Sequence, residues 1–232
     1  MLSALSFLTV VGRGSAPDQR TFRWFPLVGA AIGAVVALAL AGGRELWALP
    51  LAASVAVAVD LAITGMLHVD GLADTADGLL PHLDRERRLE VMRQPDTGAF
   101  GVGAVSAVLL LRFAALTDGA VRPWSIVAVW CLSRTVVAVI PSLVPYARPS
   151  GLATALLGGR SGWTAAAAVP ALVLLGWSQG ATGVLAGVVA ILAAAGVVAA
   201  ARARLGGYTG DVLGACVLVS ETAALLVLAA HP

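Results

Sequence analysis

The stretch WTAAAAVPALVLLGWSQGATGVLAGVVAILAAAGVVAA, residues 163–200, contains no charged side chain. A helix needs about 20 mostly apolar residues to cross the hydrocarbon core of a bilayer, so this stretch is long enough for two crossings. The sequence SQGAT, residues 178–182, divides it. The sequence leaves open whether SQGAT is a tight turn between two helices or an irregularity inside one.

The rest of the chain has the same character. The 232 residues are 59% hydrophobic and only 12% charged, with a mean hydropathy of +0.91, whereas a water-soluble domain needs a polar surface. We therefore predict an all-α fold, a polytopic transmembrane helical bundle of about six to seven spans that forms one domain over residues 1–232. The candidate spans are residues 24–42, 48–68, 100–117, 123–142, 163–178, 181–200 and 210–230.

The distribution of arginine predicts the orientation, because arginines in short loops accumulate on the cytoplasmic side. The loops predicted to lie on the other side of the membrane hold only Arg44 and Arg122. We therefore expect the N-terminus and the loop 69–99 to face the cytoplasm, as in a bacterial inner-membrane protein, and the C-terminus to lie outside. The arginines of the cytoplasmic segments are Arg13, Arg20, Arg23, Arg85, Arg87, Arg88, Arg93, Arg148, Arg160, Arg202 and Arg204.

Several function classes are disfavoured by composition. A net charge of +2 without a basic tract argues against nucleic acid as a partner. Cys131 and Cys216 lie in apolar runs and are expected to be small core residues. The apolar N-terminal segment MLSALSFLTVV lacks a basic region and a small-residue cleavage site, so we expect it to dock at the membrane interface and to be retained.

The segment HVDGLADTADGLL, residues 68–80, carries Asp70, Asp74 and Asp77 at spacings that place them within roughly 60° of one helix face. Three carboxylates that converge near a membrane are unstable unless a cation neutralises them. Carboxylate oxygens favour Mg²⁺, so we predict a magnesium site here; the alternative is a helix end with solvated acids. Gly71 and Gly78 would give a ligand room to approach.

Two further aspartates are candidates for the same centre. Asp96 precedes the third span and is predicted to be either a fourth ligand or the N-cap of that helix. Asp211 lies in LGGYTGDVLGACVLVSE, residues 205–221, and is predicted to face the same side of the membrane as the first three acids. Gly207 and Gly210 would allow close backbone approach there.

Four ionisable residues fall inside the predicted spans: Asp60, Arg112, Arg134 and Glu221. Such groups are costly in a membrane, so mutual pairing is one explanation. Arg134 and Arg148 are also candidates for phosphate binding, because a guanidinium matches phosphate oxygens bidentately. Arg93 and the other arginines of its loop would screen a polyanionic substrate, although the positive-inside rule explains them as well. His68 is a candidate substrate contact, although a histidine at the membrane interface is an equal alternative.

Carboxylates that bind Mg²⁺ beside arginines fit phosphoryl transfer from a nucleotide diphosphate. The sub-pattern DTADG, residues 74–78, resembles the opening of the CDP-alcohol phosphatidyltransferase motif, but the Ala-Arg pair expected next is replaced by LLPH. A phospholipid-forming transferase is therefore one alternative function. A cation- or proton-coupled transporter is another, although a relay should place its acids at successive depths.

Six stretches distributed along nearly the whole chain carry a closer resemblance: WFPLVGAAIGA, LHVDGLADTADGL, RRLEVMRQPDTGAFG, LSR (132–134), YAR (146–148) and LGGYTGDVLGA. In these stretches the chain resembles the adenosylcobinamide-GDP ribazoletransferase family, also called cobalamin (5'-phosphate) synthases. It has Gln94 where many members carry an aspartate, and it offers Asp96 instead.

The resemblance implies an enzyme of cobalamin biosynthesis. It would transfer the phosphoryl-cobinamide of adenosylcobinamide-GDP to a ribose hydroxyl of α-ribazole or α-ribazole 5'-phosphate, release GMP, and require Mg²⁺. Asp70, Asp74 and Asp77 would hold the metal. Asp211 would complete the metal site or act as the base, with Asp77 as a second catalytic candidate, and Arg134 and Arg148 would bind phosphates. Membrane lipid is an expected partner, and a homo-oligomer is compatible with the sequence.

Overall fold

The computed structural model describes residues 1–12, 20–148 and 162–230. Within these ranges the chain is helical, and its extended pairing is limited to one bridge between Tyr146 and Tyr208. The predicted all-α class is therefore confirmed. The helices are α1 (Leu2–Leu8), α2 (Phe25–Leu46), α3 (Leu49–Ile63), α4 (Leu67–Leu79), α5 (Arg85–Val91), α6 (Ala99–Thr117), α7 (Pro123–Leu143), α8 (Gly162–Ala166), α9 (Ala168–Leu205) and α10 (Gly210–Leu228), with a 3₁₀ turn (Thr21–Trp24) leading into α2.

By length and composition, five helical segments of the described chain can cross a membrane, or six if the bent pair α3 and α4 counts as one span. Large apolar side chains on these segments, such as Leu38, Leu110 and Trp177, are exposed and suit contact with lipid tails. A polytopic membrane bundle is the fold that follows. The five segments are Thr21–Leu46, Ala99–Thr117, Pro123–Leu143, Thr164–Leu205 and Gly210–Leu228.

The long segment Thr164–Leu205 reverses direction at Gly180, where φ is 61° and ψ is −139°. A side chain at Gly183 would collide with the carbonyl oxygen of Leu175, and one at Gly187 would collide with Leu172. In a straight helix, residues 172 and 187 would be about 22 Å apart. SQGAT is therefore a tight turn, and the predicted spans 163–178 and 181–200 are its two antiparallel arms.

The predicted span 48–68 ends earlier than expected. The chain adopts left-handed conformations at Gly65 (φ 57°) and Met66 (φ 59°), and α4 leaves α3 at an angle of 87°. The three clustered aspartates consequently lie on a separate short helix, not at the end of a transmembrane helix as the sequence suggested. Helix α4 contacts the first turn of α10 through Gly71 and that of α6 through Asp77, so it lies across one end of the bundle.

The arginine-rich loops meet at one end of the bundle, which we call the site end. Arg85 Nε donates to the carbonyl oxygen of Leu205 (2.7 Å), and Arg148 Nη2 donates to that of Met92 (3.1 Å). Gln179 Nε2 donates to the carbonyl of Ala120 (2.9 Å) at the opposite end. The alternation predicted from the arginines is thus present in the fold, while Arg13 and Arg160 lie outside the described residues.

The N-terminal segment packs against the site end of the bundle, and its expected position at the membrane interface stays a prediction. The backbone N–H of Val10 donates to the carbonyl of Ile63 (2.9 Å), and Ala4 and Leu8 on α1 are buried. Cys131 and Cys216 are free thiols, Cys216 fully buried, which agrees with their prediction as small core residues.

The four ionisable residues predicted inside the spans form one buried network. Arg112 Nη2 contacts Asp60 Oδ2 (3.0 Å) and Glu221 Oε2 (2.9 Å), and Arg134 pairs with Glu221 Oε1. Trp130 Nε1 also donates to Asp60 Oδ1 (2.9 Å). Two carboxylates and two guanidinium groups neutralise each other, so the predicted mutual pairing is confirmed.

Glu221→Gln is expected to lower stability strongly, because Glu221 pairs with both arginines and accepts a hydrogen bond from Ser133 Oγ (2.8 Å). Breaking a buried ion pair on one side typically costs about 3–5 kcal/mol. Unfolding in detergent, followed by circular dichroism, measures the loss. The control is Glu45→Gln, which neutralises an exposed glutamate on α2. Equal unfolding midpoints for the two variants would contradict the expectation.

Candidate active site

Helices α4 and α10 cross in direct backbone contact at the site end. A Cβ added to Gly71 would lie 2.8 Å from the carbonyl oxygen of Asp211 and 3.2 Å from the Cα of Gly214. The absence of side chains at Gly71 and Gly214 is what lets the helices approach so closely. The crossing brings Asp70 to the same cavity as Asp211, so Gly71 serves helix packing as well as bordering that cavity.

Asp211 is fixed by a small set of polar contacts at the start of α10. Thr209 Oγ1 accepts from the backbone N–H of Val212 (3.3 Å) and donates to Asp211 Oδ2 (3.2 Å). Arg148 Nη2 lies 2.9 Å from the same oxygen. Both side chains of this ion pair are mostly buried, at 12% and 21% exposure, so the pair is shielded from water. Asp211 and Arg148, predicted separately, belong to one site.

A two-residue bridge holds Arg148 in place. The N–H of Ala147 donates to the carbonyl of Tyr208 (2.8 Å), and the N–H of Tyr208 donates to the carbonyl of Pro145 (3.0 Å). A side chain at Gly207 would collide with that Pro145 carbonyl, so Gly207 is needed for this close pairing. The YAR and LGGYTGD motifs therefore form one structural unit, a pairing that the sequence analysis missed.

Asp77 faces α6 instead of the other carboxylates. Its Oδ2 accepts from the N–H of Gly98 (2.7 Å) and its Oδ1 from the N–H of Gly101 (2.9 Å). These are the unpaired donors of a helix N-terminus, where negative charge is favoured. Side chains at Gly98 or Gly101 would crowd the carboxylate. These contacts give Asp77 a structural role in joining α4 to α6, while its predicted catalytic and metal-binding roles stay predictions.

Asp77→Asn is expected to destabilise the protein as well as to reduce activity, because an amide would turn a second donor toward one of the two N–H groups. Hydrogen bonds to charged groups contribute about 1.5–3 kcal/mol each. The unfolding midpoint in detergent measures the effect. Asp84→Asn is the control, because it also replaces a carboxylate that accepts from a helix N-terminus, here the exposed N–H of Arg87 in α5 (2.9 Å). A fully stable but inactive Asp77→Asn variant would restore the catalytic interpretation.

Asp70 and Asp74 lie within electrostatic reach of Asp211. Asp70 is exposed and Asp74 is half-buried on α4. Burial is the main reason that the pKa of Asp74 is raised to about 7. The negative charges of Asp211, Asp70 and Asp77 raise this pKa further, and the positive charge of Arg148 lowers it. Negative charge is thus concentrated around Asp74, and a cation bound there would relieve the repulsion.

The oxygen donors near Asp211 suit Mg²⁺ bound together with a substrate. In residues 1–12, 20–148 and 162–230, no three acidic, histidine or cysteine side chains are close enough to form a ready-made metal cage. Mg²⁺ does not require one, because it keeps several waters and typically binds one or two carboxylates together with substrate phosphates. Asp70, Asp74 and Asp211 are hard oxygen donors at one repelling cluster, so they fit this mode of binding.

Asp96 and Gly78 occupy positions that differ from their predictions. The N-cap of α6 is Gly98, and Asp96 is an exposed residue before it, so the N-cap interpretation is wrong. A side chain at Gly78 would collide with Met92, and the Gly78 carbonyl accepts from Arg88 Nη1 (2.7 Å). Gly78 therefore packs against the end of α5 instead of facing open space.

A basic groove lies beside Arg148. It has a volume of about 550 Å³, and its charged lining residues are three arginines and two glutamates: Arg85, Arg93, Arg148, Glu86 and Glu90. Arg93 is exposed there. Because the guanidinium groups outnumber the carboxylates, the groove has a net positive charge that suits a polyanion such as a nucleotide.

Arg134 and His68 lie on the other side of the site. Both are buried and line an internal cavity that Asp70, Gly210 and Asp211 also border. A side chain at Gly210 would meet nothing within 4 Å, so this glycine leaves open space. Although Arg134 pairs with Glu221, the structure places it at the cavity, as its prediction as a substrate contact requires.

The chain matches the family model described as cobalamin-5-phosphate synthase over residues 1–229. An adenosylcobinamide-GDP ribazoletransferase of Bradyrhizobium diazoefficiens is 40% identical, with 98% of this chain and 92% of the relative covered. Proteins of the same name from Chlorobaculum tepidum (34% identical, 98% and 92% covered) and Pseudomonas paraeruginosa (38% identical, 99% and 97% covered) are also similar. No solved structure matches this chain.

Proposed function

Because this chain belongs to the cobalamin-5-phosphate synthase family, we propose a mechanism in which its α4–α10 crossing carries out the reaction for which its relatives are named. The chain is a transferase of cobalamin biosynthesis that joins adenosylcobinamide-GDP to α-ribazole. The observation that supports the proposed mechanism is the ion pair of Arg148 with Asp211, which lies within electrostatic reach of Asp70 and Asp74.

In the proposed reaction, a ribose hydroxyl of the acceptor attacks the cobinamide-bearing phosphorus of the donor and GMP leaves. Asp70 and Asp74 would hold Mg²⁺, which when bound neutralises the diphosphate. Arg148 and Arg93 in the basic groove would bind the donor phosphates. Asp211 is the residue that we propose accepts the hydroxyl proton, since it borders both the carboxylate cluster and the internal cavity.

We propose further that the site end faces the cytoplasm of a bacterial inner membrane. The arginine-rich loops meet at this end, which supports the orientation through the positive-inside rule. Nucleotide substrates are also made in the cytoplasm. Lipid would surround the exposed apolar side chains of the spans, and a homo-oligomer stays a prediction.

GMP release by the purified protein in lipid nanodiscs tests the proposal. With adenosylcobinamide-GDP and α-ribazole, we expect turnover that a chelator abolishes and Mg²⁺ restores. CDP-diacylglycerol, offered with an alcohol acceptor, should not be consumed. Turnover that persists after exhaustive chelation would refute the metal-dependent mechanism, and use of CDP-diacylglycerol alone would point to the phospholipid-forming alternative.

A further inference from the structure

The internal cavity beside the carboxylate cluster is mostly apolar. It has a volume of about 130 Å³ and lies between α1, α2, α4, α7 and α10. A single water needs about 10–15 Å³ by a comparable measure, so the space is large enough for a small ring system. At one edge the cavity is bordered by Asp70 and Asp211. A ligand held in it would therefore extend directly into the reaction site.

Three phenylalanines form one wall of the cavity. Phe7 stacks on Phe25 with ring centroids 5.9 Å apart, and Phe22 meets Phe25 edge-on at 4.8 Å. Phe22 and Phe25 are 5% and 2% exposed, so the wall is set by packing before any ligand arrives. Aromatic walls of this kind favour a flat, apolar ring.

Besides Asp70 and Asp211 at its edge, the cavity has two polar side chains in its otherwise apolar lining, Arg134 and His68. Arg134 is 1% exposed, and its Nη1 contacts Glu221 and Ser133 Oγ (3.0 Å). Its Nε is buried without a hydrogen-bond partner in the described part of the chain. His68, 5% exposed, is the second polar group of the lining. An unsatisfied buried donor is costly, and a ligand atom that accepts a hydrogen bond would remove that cost.

We propose that this cavity binds the aromatic base of α-ribazole, with Arg134 Nε or His68 donating to the ring nitrogen that does not carry the ribose. The inference rests on the proposed function and adds the position of the acceptor. The base of α-ribazole is a dimethylated benzimidazole, which is flat, largely apolar and has one free acceptor nitrogen. With the base in the cavity, the attached ribose would lie at the edge formed by Asp211, where the proposed proton acceptor is needed.

The other parts of the substrates suit the cavity less well. Guanine carries several hydrogen-bonding groups that the phenylalanine wall would leave unpaired. A corrin ring is far larger than the cavity and would have to remain outside it. The basic groove near Arg148 is the better place for the nucleotide of the donor, because its guanidinium groups match phosphate charge.

Val217→Phe tests the proposal, because Val217 lines the cavity on α10 and a larger side chain would fill part of it. We expect KM for α-ribazole to rise at least about tenfold while KM for adenosylcobinamide-GDP is unchanged. The riboside of unmethylated benzimidazole is smaller, so its KM should rise less. The ratio of kcat/KM for the unmethylated acceptor to that for α-ribazole should therefore be higher in the variant than in wild type. Leu226→Phe, at a 39% exposed position of the same helix, is the control and should behave as wild type.

A second variant protects the test against poor folding of the first. Phe22→Leu opens the phenylalanine wall with a modest volume change, and we expect it to reduce the discrimination between methylated and unmethylated acceptors by several-fold. Equal effects on both acceptors in Val217→Phe and in Phe22→Leu, or no effect on either, would overturn the assignment of the base to this cavity.

Direct binding separates this inference from the proposed function. Calorimetric titration of the wild-type protein with α-ribazole alone needs no turnover, and we expect binding that Val217→Phe weakens at least about tenfold. If wild type binds α-ribazole in this way but releases no GMP, the mechanism fails and the cavity assignment survives. Binding that Val217→Phe leaves unchanged would overturn the assignment, and displacement of lipid alone, without α-ribazole binding, would show that the cavity holds an acyl chain.

Discussion

Asp74→Asn is expected to reduce GMP release by about 10³-fold, the largest effect among single substitutions at this site. Asp74 lies within electrostatic reach of Asp70, Asp77, Asp211 and Arg148. An amide at this position would remove one charged donor to the cation and so weaken its binding. Because no hydrogen bond to Asp74 supports the fold in the described residues, the helix packing should be retained.

The effect is measured as steady-state GMP release in nanodiscs at saturating substrates, together with the unfolding midpoint in detergent. Glu45→Gln, an exposed neutralisation outside the site end, controls for a change in net charge. Added Mg²⁺ at high concentration should recover part of the lost rate. Near-normal turnover in Asp74→Asn would remove this residue from the mechanism.

Asp211→Asn is expected to lower kcat by at least about 10²-fold, as loss of a general base typically does. An asparagine keeps the size of the side chain and can still accept from Thr209 and Arg148, so the α10 cap and the Tyr146–Tyr208 bridge should survive. What it cannot do is take up the proton of the attacking hydroxyl. The KM for either substrate should change little by comparison.

A double-mutant cycle with Arg148→Ala separates the two parts of this site. Arg148→Ala should raise KM for adenosylcobinamide-GDP, because it removes a guanidinium from the basic groove, with a smaller effect on kcat. Residues in contact give non-additive effects, so the double variant should lose less than the product of the single losses. Strict additivity would indicate that Asp211 and Arg148 act independently, contrary to their 2.9 Å contact.

Much of the fold could be predicted because it depends on composition and local pattern. The lack of charge in residues 163–200 predicted the membrane, and SQGAT marked an interruption there. Only the structure shows that the interruption is a turn at Gly180. The cost of burying charge predicted the pairing of Arg112 and Arg134 with Asp60 and Glu221. The bend at Gly65 and Met66 was missed, since a left-handed methionine has no signature in a single sequence.

The site was predicted less completely, for reasons that involve distant parts of the chain. Helical spacing placed Asp77 on the face shared by Asp70 and Asp74, but its partners are N–H groups of α6, which periodicity within α4 cannot reveal. The bridge between Tyr146 and Tyr208 likewise depends on loops that meet only in the folded protein. The glycines gave a partial signal, because Gly71, Gly98, Gly101 and Gly207 all lie where a side chain would collide.

The central proposal is that a divalent cation binds beside Asp74 on α4, within electrostatic reach of Asp211. Binding of Mn²⁺, followed by its electron paramagnetic resonance signal, tests this claim in the purified protein without requiring turnover. In the presence of adenosylcobinamide-GDP, we expect wild type and the Glu45→Gln control to bind Mn²⁺ with the same affinity and Asp74→Asn to bind it at least about tenfold more weakly. Equal Mn²⁺ affinity in wild type and Asp74→Asn would contradict the account.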